Sequence, residues 1–135
     1  MKKITLLFVL SIALFSCSKN NEQVEIAKNK LKEQGKADIE IQSTKFDVVE
    51  MIDKDVYNIL YYKKNKAIFE TVSVGGDYKE MENDSKKLAS EIRNSKGEKK
   101  FFKVHFYRLA DKDTVSNSIL FLNDKNEEIG FEYLK

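Results

Sequence analysis

Among the residue types that most often do chemistry in proteins, this sequence has one cysteine, Cys17, and one histidine, His105. A Cys–His nucleophile pair needs a thiolate within reach of an imidazole. A zinc site built from these two residue types needs more of them than one each, and HExxH is absent. Strand alternation places His105 on a polar face, as a surface or edge residue. Asp124, Asn126 and Glu128 fall at alternate positions, as the first ligands of a calcium loop do. The sixth and twelfth positions of that loop call for Gly and Glu, but here they are Ile129 and Lys135. The segment therefore reads as a polar hairpin turn. Asp111-Lys112-Asp113 and Asp53-Lys54-Asp55 read as turns or helix caps. Gly75-Gly76 fits neither of the glycine-rich phosphate motifs, and Gly-x-Ser-x-Gly is absent. The 22 acidic residues offer many carboxylate pairs for hydrolytic acid–base chemistry, but nothing selects one of them. The sequence assigns no catalytic residue, no metal ligand and no cofactor.

Two lysine-bearing segments could form an electrostatic patch: Lys63-Lys64-Asn65-Lys66 and Glu98-Lys99-Lys100. Each basic residue near an anionic headgroup contributes about 1 kcal/mol. Solvated loops are the plainer reading of both.

The first seventeen residues are more specific. Met1-Lys2-Lys3 is a short positive segment, and Ile4 to Phe15 is apolar except for Thr5 and Ser11. That run is too short to span a hydrocarbon core, which takes about 20 helical residues, but it suits the apolar region of a signal peptide. Leu14-Phe15-Ser16-Cys17 follows at once and resembles the lipobox of bacterial lipoprotein precursors. Leu stands at −3, a small residue at −1 and the obligatory Cys at +1, while Phe15 at −2 is bulkier than the pattern prefers. The resemblance implies that Cys17 Sγ receives a diacylglycerol and that signal peptidase II cuts between Ser16 and Cys17. In many species the new amino group is acylated as well. Cys17 is then a thioether without a thiolate, which removes the Cys–His pair. One acyl chain holds a protein only marginally at a membrane, whereas two hold it stably. Ser18, rather than Asp, at +2 favours the outer membrane over the inner by analogy with lipoprotein sorting in enteric bacteria.

Charge agrees with this division. The formal charge is +2, from 24 basic and 22 acidic residues. Residues 1–16 hold two lysines and no acid, so their removal leaves 22 against 22. A neutral body lacks the basic footprint of a nucleic-acid binder. A single cysteine allows no internal disulfide. The chain has 135 residues, nine Phe, six Tyr and no Pro, which is enough for one aromatic-rich core with no proline-rich linker. The expected organisation is a cleaved signal peptide (1–16), a lipidated cysteine and tether (17–21) and one small domain (22–135).

Within the body, Val24, Ala27 and Leu31 predict a helix over about 22–34. Asn20 is its N-cap, Gln23 completes a capping box, and Gly35 ends the helix. Ile39 and Ile41 alternate with polar residues and open a β-rich stretch. Residues 46–52 read as a strand partly covered on both faces. Residues 55–74 fit either a helix started by Asp55 or a hairpin turning at Lys63–Lys66, and the pattern leans slightly to helix. Tyr78, Met81, Ser85, Leu88 and Ile92 form a helical seam over 78–95, with Asp77 and Glu80 as a capping box and Glu82–Lys86 as a favourable pair. Phe102, Val104 and Phe106, then Val115–Leu122, then Ile129, Phe131 and Tyr133 predict three strands joined by turns at 111–113 and 123–126.

The expected fold is α+β: an N-terminal helix, a central helical segment and a C-terminal antiparallel sheet of three to four strands. This order loosely resembles small Bacteroidetes lipoproteins of unassigned function. The expected role is non-enzymatic: an envelope lipoprotein held at the membrane through its lipid, presenting a binding or scaffolding domain to another envelope protein or a small ligand. The alternatives are an immunity or inhibitor lipoprotein that binds a toxin or enzyme, and an envelope hydrolase that uses carboxylates.

Overall fold

The computed structural model describes residues 20–110 and 112–134. The 1–16 leader and Cys17 lie outside them. The elements are α1 (Asn21–Glu33), α2 (Asp38–Gln42), β1 (Lys45–Ile52), α3 (Asp53–Ser73), α4 (Lys79–Asn94), β2 (Lys100–Ala110), β3 (Asp113–Leu122) and β4 (Glu128–Tyr133). The strands form one antiparallel sheet in the order β1-β2-β3-β4. The fold class is α+β, and α3 and α4 together connect neighbouring strands β1 and β2. The described residues fall into two compact units: 20–48, 104–110, 112–120 and 132–134 in the first, and 49–103 and 121–131 in the second.

In the first unit, α1 buries Gln23, Ala27 and Leu31 at i, i+4 and i+8. Its start differs from expectation. The Asn20 side chain makes no capping bond, and only the Asn20 carbonyl takes part, accepting from the Val24 N–H. The end is as expected. Gly35 adopts φ +77°, its N–H bonds the Lys32 carbonyl, and the Lys36 N–H bonds that of Leu31. This is the paired closure of a Schellman motif.

The β reading of Ile39 and Ile41 is corrected, because both lie in the short helix α2. Two residues at i and i+2 stand on opposite sides of a helix, so two-residue alternation cannot tell helix from strand. Ile41 is buried and Ile39 is 76% exposed. Ser43 Oγ and Thr44 Oγ1 donate to the Glu40 carbonyl and so close the turn. The remaining core of this unit is Val104, Phe106, Ser118 and Leu120, with Phe46 stacked on Phe106 at 5.9 Å between ring centroids.

In the second unit, the open question over 55–74 resolves as helix, beginning at Asp53 rather than Asp55. The Lys63–Lys66 cluster is therefore in mid-helix and is not a loop. Helix α3 ends in a second Schellman closure: Gly75 has φ +74°, its N–H bonds the Val72 carbonyl, and the Gly76 N–H bonds that of Thr71. A Cβ at Gly75 would meet no other atom, so Gly75→Ala tests backbone strain alone. We expect a loss of about 1–2 kcal/mol, read as a lower urea midpoint with unchanged helical circular dichroism.

The short connection makes α4 antiparallel to α3. Lys64 pairs with Asp84 at 3.3 Å, and the Ser85 hydroxyl donates to Asn65 Oδ1 at 3.1 Å. Ser85 is the most buried member of the predicted α4 seam because it serves this bond. The expected capping box is corrected: α4 begins at Lys79 with Tyr78 as its N-cap and no side-chain capping bond, and Asp77 Oδ1 accepts only from the Lys79 N–H two residues on. Phe101 rather than Phe102 is fully buried at the start of β2, edge-on to Tyr57 with centroids 5.2 Å apart. Adjacent Phe121 and Leu122 are both buried, as at a strand end covered on both faces. In β4, Tyr133 is exposed and does not join the expected apolar row.

Candidate functional site

The apolar residues of helix α3 are not gathered on one side, so some of them face away from its neighbours. Its inward side carries Val56, Leu60, Lys64, Ala67 and Thr71, all buried or half-buried. The other side carries Tyr62 and Phe69, which stand about 20° apart around the axis, with Val72 beside them. Tyr62 is 70% and Phe69 72% exposed, and Val72 is exposed as well. A hydrophobic side chain left in water gains nothing for the fold, and an exposed apolar cluster of this kind commonly marks an interaction surface.

The second feature is a cleft of about 430 Å³ between the first turns of α3 and the last turn of α4, within the range of small-ligand sites. Asp53 and Tyr57 come from α3, Glu91 from α4, and the rest of the wall from the 94–99 connection. Asp53 is only 3% exposed. Its N–H bonds the Lys99 carbonyl at 3.0 Å, and its Oδ1 accepts from the Lys54 N–H at 2.7 Å. The N-terminal end of α3 favours an anion there, which is why a buried carboxylate is tolerated. Among the described residues it forms no ion pair. The Tyr57 hydroxyl is held above the usual phenol range, first by burial and then by the charges of Glu91, Asp53 and Asp124, with a hydrogen bond to Glu91 adding to these. Tyr57 therefore stays a neutral donor and acceptor. Ser95 Oγ is enclosed and has no partner.

Comparison of the chain with protein-family models, with curated proteins and with solved structures returns no match. Function is therefore argued from these residues.

The other residues singled out in the sequence are placed as follows. His105 is neither an edge nor a free surface residue. It sits on the central strand β2, half-buried, with Nε2 against Asn117 Oδ1 of β3 and its ring stacked on Tyr107. Asn123 uses its side-chain oxygen to accept from the Lys125 and Glu127 N–H groups, and Asn126 has φ +59°. The 123–126 segment is thus an Asx-closed hairpin turn. Among the described residues, no group of three or more His, Cys, Asp or Glu side chains could hold a metal ion. Lys63 Nζ lies 5.9 Å from the Phe121 ring centroid. Burial, and then the charge of Lys103, lower its pKa. Lys100 pairs with Glu50. The two lysine segments are thus largely engaged within the fold. No described helix is long and apolar enough to cross a membrane.

The sequence reading missed both the cleft and the exposed side of α3. A usable signal existed for the second: the aromatic and aliphatic residues of 56–74 follow no helical period, so any helix there must leave part of its apolar surface uncovered or find a partner for it.

Proposed function

We propose that this protein is a lipid-anchored envelope lipoprotein whose body is a non-enzymatic binding module. The anchor rests on the positive leader, the short apolar run and the Leu14-Phe15-Ser16-Cys17 motif. The binding role rests on one observation, the aromatic side of α3 that Tyr62 and Phe69 present to water. Tyrosine and phenylalanine supply large contact area with few rotatable bonds, so burying them against a partner loses little entropy. The partner that fits is another envelope protein with a complementary apolar surface. An immunity or inhibitor protein would be the same module with a toxin or enzyme as partner, and the neighbouring genes would separate the two.

The test is a photo-crosslinking residue placed at Phe69 in cells that produce the native anchored protein. We expect a discrete adduct from Phe69 and none from the exposed Lys32 on α1. Equal labelling at both positions, or none at Phe69 in correctly localised protein, would remove α3 as a recognition surface.

A further inference from the structure

We propose that the cleft formed by the start of α3, the end of α4 and the 94–99 connection binds a small ligand through a primary ammonium group, held by Asp53, Tyr57 and Ser95. This site is independent of the partner surface on α3.

Asp53 is buried, lines the cleft and has no cationic partner among the described residues. Its one bond is to the Lys54 N–H, and a carboxylate has about four lone-pair sites. Ser95 Oγ, enclosed on a residue of the same wall, has no hydrogen-bond partner among the described residues. An unmatched buried polar oxygen costs about 1–3 kcal/mol, so Ser95 Oγ calls for a donor, and the Asp53 carboxylate lining the same cleft can accept from one as well. Tyr57 adds a third oxygen. Its phenol oxygen has lone pairs that can accept from a further donor. A primary ammonium carries three N–H donors and one positive charge, which matches three oxygens of which one is ionised. Lys96 and Lys99 line the same cleft but are exposed and form no ion pair with Asp53 or Glu91. Their long stems can keep their charges in water.

The experiment follows backbone amide signals of the full-length, detergent-solubilised protein by NMR during titration with propylammonium chloride. Tetramethylammonium chloride and sodium propionate serve as controls. Tetramethylammonium has the same charge and no N–H donor, so it separates hydrogen-bonded recognition from simple attraction to negative charge. We expect saturable shifts with propylammonium, confined to residues 53–57 and 91–99, and no saturable shift with either control. Asp53→Asn is expected to weaken binding about tenfold or more, the loss of a charge-assisted bond. Asp53 also begins α3, so Ser95→Ala is the second variant. It removes one acceptor at the cleft wall and is expected to weaken binding about threefold to tenfold with an otherwise native spectrum. Absence of saturable shifts with propylammonium, equal shifts with tetramethylammonium, or undiminished binding in a folded Ser95→Ala protein would each overturn the proposal.

Discussion

Cys17→Ala is expected to abolish lipid attachment, leave the leader peptide uncut and remove the protein from the stably bound membrane fraction. The physical reason is that the proposed anchor is concentrated at one sulfur atom. Each acyl methylene buried in a bilayer contributes about 0.8 kcal/mol, and two chains give stable retention where one gives marginal binding. No described helix could substitute as a membrane span, and the body is electrically balanced once residues 1–16 are gone, so long-range attraction to anionic lipid is weak. In the proposed reading Cys17 is both the lipid site and the first residue after the cut, so processing and anchoring are expected to fail together. The measurement is fractionation with an alkaline wash, followed by the intact mass of the native and substituted proteins. A native mass with an unmodified thiol, or a substituted protein that is still cut and still retained, would refute the anchor.

Phe106→Ala carries the largest expected effect on stability, about 3–5 kcal/mol. Phe106 is fully buried on the central strand β2, and its ring stacks on Phe46 of β1. Truncation removes transfer free energy, leaves a cavity that stiff neighbours fill only in part, and breaks an aromatic pair that adds about 0.5–1.5 kcal/mol of its own. Against a total stability of about 5–15 kcal/mol, this is a third or more of what holds a typical domain together. Urea denaturation should show a much lower midpoint. Phe69→Ala is the matched control: it has the same chemistry, but the ring is 72% exposed, and the expected change is within about 0.5 kcal/mol. Equal midpoints for the two variants would contradict the placement of both rings. The same control sharpens the functional reading, because a residue that stability does not require and that water surrounds needs another reason to be phenylalanine.

These two phenylalanines also show how differently sequence and fold contribute. Phe106 could be read from its alternation with Lys103, His105 and Tyr107. Phe69 could not, because the apolar residues of 56–74 follow no helical period and the covered side of α3 is chosen by α4, which comes later in the chain. At the start of β2 the same limit appears in miniature. Phe101 and Phe102 are chemically identical neighbours, and the contact with Tyr57 decides which one is enclosed. His105 reads locally as polar surface, yet its partner Asn117 reaches it only through β2–β3 pairing.

The sequence by itself determined the features set within a few residues. These are the helix end at Gly35, where the backbone turns to positive φ, the seam of α4, the turn at 123–126, and the α+β class that follows from a helical first part and a strand meander. It is also the sole basis for the expected lipid site at Cys17. Only the tertiary structure decided that 53–73 is one helix rather than a hairpin, that Ile39 and Ile41 sit on a helical turn, and that Asp53, Tyr57, Glu91 and Ser95 share one cleft. The physical reason is range. Dihedral preferences, caps and side-chain periodicity act over one or two turns of chain, whereas burial and the matching of polar groups depend on which distant segments come to lie against each other.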